Sequence, residues 1–140
     1  MPYSLKYGIF HWFVHFSLAH LLANLIIFLF FGHAGFRLLH LQPYSQIFLF
    51  SYLGTTIIDI DHLGVMYKKG VKGLLSSEKI KKYPLHNLAS FSVFLFLATV
   101  FLTHQQILIG TFFAAIVFHM FWDLFEDIFI FKVNFRKNWL

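Results

Sequence analysis

The chain contains no cysteine, which excludes disulfides and thiolate sites and leaves only nitrogen and oxygen donors for any bound metal. Charge is scarce as well. Only 12% of the residues are Asp, Glu, Lys or Arg, about half the share found in soluble domains. With 59% hydrophobic residues, too little polar surface remains to cover a soluble two-layer core. Three prolines interrupt 140 residues, and no apolar run alternates with polar residues as a half-buried strand would. These absences point to an all-α membrane protein, because in lipid only helices or closed barrels satisfy their own backbone groups.

Four apolar segments are present, over residues 9–31, 46–58, 86–102 and 107–131. A hydrocarbon core takes about 20 helical residues to cross, so the second segment is short, and Asp59 at its end falls at the headgroup boundary. The expected architecture is a four-helix transmembrane bundle in a single membrane-embedded domain, 1–140. The loop between the second and third spans adds a short amphipathic or 3-10 helix opened by Ser76 or Ser77. The first apolar run exceeds twenty residues and has no small-residue cleavage site, which predicts a retained span rather than a cleaved signal.

An up-and-down path places both termini and the loop between the second and third spans on one side. Lys6, Lys68, Lys69, Lys72, Lys79, Lys81, Lys82, Lys132, Arg136 and Lys137 share that side, and only Arg37 lies opposite. By the positive-inside rule the crowded side is cytoplasmic, giving an integral protein of a plasma or inner membrane with cytoplasmic termini. The net charge of +5 then reads as a topology signal and as attraction to an anionic lipid bilayer. No nucleic-acid partner is predicted, since that needs a soluble basic surface.

All six acidic residues fall in the same cytoplasmic half, as do six of the nine histidines. In "FHMFWDLFEDIF", His119 and Asp123 stand four apart and project from one helix face, with Glu126 next along the stripe and Asp127 slightly displaced. Asp59, Asp61 and His62 end the second span in "DIDH". Carboxylates are unfavourable at the negative end of a helix dipole and costly beside lipid, so a partner is required. A divalent ion, zinc or manganese, in one or two copies, suits this donor set. His86 joins from "YPLHNLASF". On the first span, Ser17, His20 and Asn24 form a stripe, and the deep Asn24 should face the bundle, which selects His20 over His15 as the first-helix ligand. His33, His40 and His104 lie in far-side connections and read as solvated.

In order and spacing, "DIDH", "LHNLASF" and "HMFWD" resemble the YdjM-type family of inner-membrane metal-dependent hydrolases, over most of the chain, and more distantly the zinc-dependent phospholipases C. The resemblance implies that Asp59, Asp61 and His62 match the family's Asp-x-Asp-His. It likewise implies that His86 matches the second histidine of its His-Arg-x-x-x-His-Ser segment, His119 with Asp123 its His-x-x-x-Asp, and His20 its N-terminal histidine. Lys81 and Lys82 stand where the family has His-Arg, and Asn87 replaces the serine. The function expected is hydrolysis of a phosphoester or similar ester of a membrane-associated, lipid-like substrate at the cytoplasmic face. Glu126 or Asp127 would accept a proton from water, and Lys82 with Lys81 would stabilise a phosphate. Two other readings compete. One is a non-catalytic subunit whose metal site staples the helices while its aromatic faces bind a protein partner or a second copy. The other is a redox or transport protein, since "HWFVH" has a His-x-x-x-His spacing, although no His-x-x-His-His follows.

Overall fold

The structure, a computed structural model, describes residues 5–32, 44–60, 67, 85–130 and 139–140. Four α-helices follow in order among them: α1 (Leu5–Phe31), α2 (Ser45–Ile57), α3 (Leu88–Thr103) and α4 (Ile107–Phe125). A π-helical segment, Glu126–Ile130, continues α4. There is no strand among the described residues, and the helices fall on the four predicted segments. The predicted loop helix near Ser76 and Ser77 lies outside the described residues.

Two helical stretches, Ile9–Phe31 of 23 residues and Ile107–Ile130 of 24, are long and apolar enough to cross a membrane. With 16 and 13 residues, α3 and α2 fall short of the roughly 20 that a perpendicular span takes. Helix α1 closes at Gly32, whose φ of 64° is the left-handed conformation that lets its N–H reach back to the Phe28 carbonyl at 3.0 Å. Phe10, Trp12, Phe13, Leu21 and Phe28 of α1, Val93 and Phe96 of α3, and Phe121 and Phe129 at the end of α4 remain more than half exposed. Among the described residues, large apolar side chains are thus exposed on three of the helices.

Helix α4 is the hub, packing against α1, α2 and α3. Small residues make this possible. A Cβ built on Gly54 of α2 would lie 2.2 Å from the Phe112 carbonyl oxygen and 2.9 Å from Ala115 Cβ, so only glycine allows the two backbones to meet this closely. Ser51, fully buried, donates to the Ala19 carbonyl at 2.7 Å and ties α2 to α1. Along α1 the inward residues are His15, Ala19, Leu22, Ala23, Ile26 and Ile27, a helical stripe facing the bundle.

One apolar cluster fills one end of the bundle, around Leu22, Ile26, Ile47, Phe48 and Ala115. A second comprises Ile58, Ile116, Met120 and Trp139, with Leu85 and Phe91 against it. Trp139 is 3% exposed; its Nε1 donates to Asp127 at 2.9 Å and its carbonyl accepts from Leu88 N–H at 2.9 Å. Trp139→Ala is expected to lower stability by about 3 to 5 kcal/mol through lost packing. Trp139→Phe keeps most of that packing, and losing the indole donor should cost about 1 kcal/mol. Thermal unfolding of the two variants in one detergent checks the ratio.

Candidate metal centre

The second cluster touches the neighbours of every residue that carries the candidate chemistry. Ile58 precedes Asp59, Leu85 precedes His86, and Met120 follows His119. Asp59 sits in the turn that ends α2, its N–H 3.3 Å from the Thr56 carbonyl. His86 is placed by the start of α3. Asn87 is the N-cap, extended at φ −145° and ψ 165°, and its side chain accepts from Ser90 N–H at 2.9 Å. Asparagine is among the preferred N-cap residues, and here it fixes the start of the helix that His86 precedes. On α4, Thr111, Ala115 and His119 are buried at spacings of four, a stripe that leads to Asp123.

The side chains converge from four directions. His119 Nε2 lies 3.3 Å from Asp59 Oδ1 and 3.1 Å from Asp123 Oδ2. His86 Nε2 lies 3.1 Å from the same Asp123 oxygen and 3.9 Å from Asp59 Oδ1. The other oxygen of Asp123 faces α1, 3.3 Å from His15 Nε2 and 3.8 Å from His11 Nε2. Two adjoining groups have metal-ligand spacing: Asp59, His86 and His119, and His11, His15 and Asp123.

Of the residues expected from sequence, Asp59, His86, His119 and Asp123 come together. Asp61, His62 and Lys82, with Lys81, lie outside the described residues. His20 is in neither group; its Nδ1 is 2.8 Å from the Tyr52 hydroxyl. Asn24 donates to its own helix at the His20 carbonyl, 2.9 Å away, a bond that can form on any face of a helix, so Asn24 does not select His20. His15, 4% exposed, takes the place, with His11 one turn before it. The signal for them is the series His11, His15, Ala19, Ala23, in which small residues at every fourth position mark the close helix contact.

Glu126 is 2% exposed and held at both oxygens, accepting from Trp122 Nε1 at 2.6 Å and standing 2.9 Å from His11 Nδ1. Asp127 is in neither group; it accepts from Trp139. A notch of about 10 Å³, room for one water-sized group, opens between α1 and α2 beside the site, with His11, His15 and Asp59 on its wall.

The donor set fits a divalent cation. Two carboxylates facing imidazoles in a low-dielectric interior are oxygen and nitrogen donors of the kind a dication takes, and its charge would offset theirs. His15 Nε2, His119 Nε2 and Asp123 Oδ1 are buried and make no hydrogen bond, even where an oxygen lies within 3.3 Å. Buried polar atoms are ordinarily paired. Nitrogen and oxygen atoms that converge in the interior yet stay unsatisfied are what a metal site presents. No family model, curated protein or solved structure matches the chain. The functional reading therefore rests on this geometry and on the motifs.

Proposed function

We propose that the chain is an integral membrane protein, its four helices embedded as a bundle with both termini in the cytoplasm. On this reading it is a metal-dependent hydrolase of a phosphoester or similar ester carried by a lipid-like substrate, as the YdjM-type resemblance implies. The observation that carries the reading is the convergence of Asp59, His86, His119 and Asp123 from separate segments, with His119 Nε2 buried and unbonded at the centre. Asp59, His86, His119 and Asp123 would hold the ion, zinc or manganese. Such an ion, when bound, polarises a phosphoryl oxygen and lowers the pKa of water toward neutrality.

The proton goes to the chain's own residues. Glu126, fixed by Trp122, accepts from His11 Nδ1–H and so leaves His11 Nε2 as the lone-pair nitrogen on the wall of the notch. A histidine oriented by a carboxylate in this way is a general base, and Glu126 acts through it. Trp12 and Phe16 of α1 share the wall of the notch with His11 and Asp59 and would limit the entry of water. Asp59, with a side chain 28% exposed, is the ligand nearest to solvent and faces the side from which a headgroup arrives.

Purified protein should retain metal and hydrolyse at least one member of a phospholipid and phosphodiester panel. Asp59→Ala and His119→Ala should abolish both, and His104→Ala should change neither. Equal retention of metal in all three variants would reject the site. Stoichiometric metal without turnover on any substrate would leave the non-catalytic subunit as the correct reading.

A further inference from the structure

Resting on the metal-site reading above, we propose that His15 is a positioning residue that links His119 to Asp123 by hydrogen bonds, and that the centre consequently holds one ion rather than two. The two adjoining groups, with Asp123 Oδ2 3.1 Å from both His86 and His119, invite a dinuclear site bridged by Asp123. The contact between two imidazoles decides against it.

His15 Nδ1 and His119 Nδ1 are 2.7 Å apart, a hydrogen bond in which one nitrogen carries the proton and the other the lone pair. A neutral imidazole bears a single N–H. Whichever ring donates through Nδ1 has a free lone pair at Nε2; whichever accepts has its proton at Nε2 and cannot ligate there. Two ions, one on each Nε2, would require both rings to be Nδ1–H, with two donors pressed together at 2.7 Å. Only one of these histidines can be a ligand through Nε2 in this arrangement.

The surroundings select His119. Its Nε2 faces Asp59 at 3.3 Å and Asp123 at 3.1 Å, and His86 approaches the same Asp123 oxygen at 3.1 Å. His15 Nε2 faces one carboxylate oxygen, Asp123 Oδ1, at 3.3 Å. With His119 as ligand, its Nδ1–H donates to His15 Nδ1, and His15 Nε2 carries the proton, 3.3 Å from Asp123 Oδ1 but misaligned with it until the carboxylate turns. That assignment accounts for all three orphaned atoms named above. The ion takes His119 Nε2, while His15 Nε2 and Asp123 Oδ1 satisfy one another after a rotation of the carboxylate. His15 thus fixes the tautomer of one ligand and the orientation of another, the role that hydrogen-bond partners of ligating histidines play elsewhere.

Glutamine tests this directly, because its amide can accept from His119 and donate to Asp123 yet is a poor ligand for a first-row ion. The full chain is stripped with a chelator in detergent and titrated with Zn2+, the ions bound per chain being counted by elemental analysis and helix content followed by circular dichroism. Wild type should bind one ion. His15→Leu should bind it about 10- to 100-fold more weakly, and His15→Gln should restore affinity to within about threefold of wild type. Two ions per wild-type chain, full affinity in His15→Leu, or His15→Gln as weak as His15→Leu would each overturn the proposal. Should His15→Leu fail to fold, His15→Gln decides alone: retained affinity supports the link and lost affinity overturns it. No ion in folded wild type would reject the metal-site reading, and this inference with it.

Discussion

Asp123→Ala should empty the centre of metal and destabilise the protein by about 3 to 5 kcal/mol, the range seen when one partner of a buried charged pair is removed. Its carboxylate joins three parts of the bundle. Its two oxygens reach His15 of α1, His86 before α3 and His119 of its own helix, all within 3.3 Å. Truncation leaves three imidazoles facing a cavity without the group that orients them. Asp123→Asn separates the two effects. The amide fills the same space and can pair with the imidazoles, so the fold should persist, but it supplies no charge and the ion should be lost. Elemental analysis and thermal unfolding of both variants check the pair of outcomes. An Asn variant with full metal content would show that the carboxylate is not a ligand.

Gly54→Ala should weaken both the fold and the metal site, although Gly54 touches no candidate ligand. The added methyl would meet the Phe112 carbonyl oxygen at 2.2 Å and the Ala115 methyl at 2.9 Å. Backbone cannot step aside as a flexible side chain can. Helix α2 must therefore back away from α4, at a cost of about 1 to 3 kcal/mol for overpacking. Asp59 lies just beyond the end of α2 and rides with it, so its 3.3 Å approach to His119 opens at the same time. Loss of Zn2+ affinity should accompany the loss of thermal stability. Leu53→Ala, on the exposed side of the same turn, should leave affinity unchanged. If Gly54→Ala were destabilised but bound metal normally, the position of Asp59 would not depend on this helix contact.

Much of this site was legible because charge is costly among apolar side chains. His119 and Asp123, four apart in an apolar helix, had to share a face, and Asp59 at the end of an apolar helix had to find a partner. The structure brings these three together with His86. The first helix was harder to read, since polar residues occur on more than one of its faces. Depth alone pointed to Asn24 and so to His20, but Asn24 bonds to its own backbone. The alanines at 19 and 23, which admit α2 and α4, mark the inward face instead, and His15 is in line with them. Other features leave no local signal. The change to π-helical geometry at Glu126 occurs without glycine or proline, and the packing of Trp139 against Ile58, Ile116 and Met120 joins residues far apart in the chain.

The most direct test of the central claim, that side chains from separate helices converge on a cation, is X-ray absorption at the metal edge of the purified, zinc-loaded protein. The expected spectrum shows nitrogen and oxygen neighbours only, with the multiple-scattering pattern of two imidazoles, and His119→Ala, which retains no metal, gives no such spectrum. A spectrum of fully hydrated zinc, without imidazole scattering, would contradict the claim.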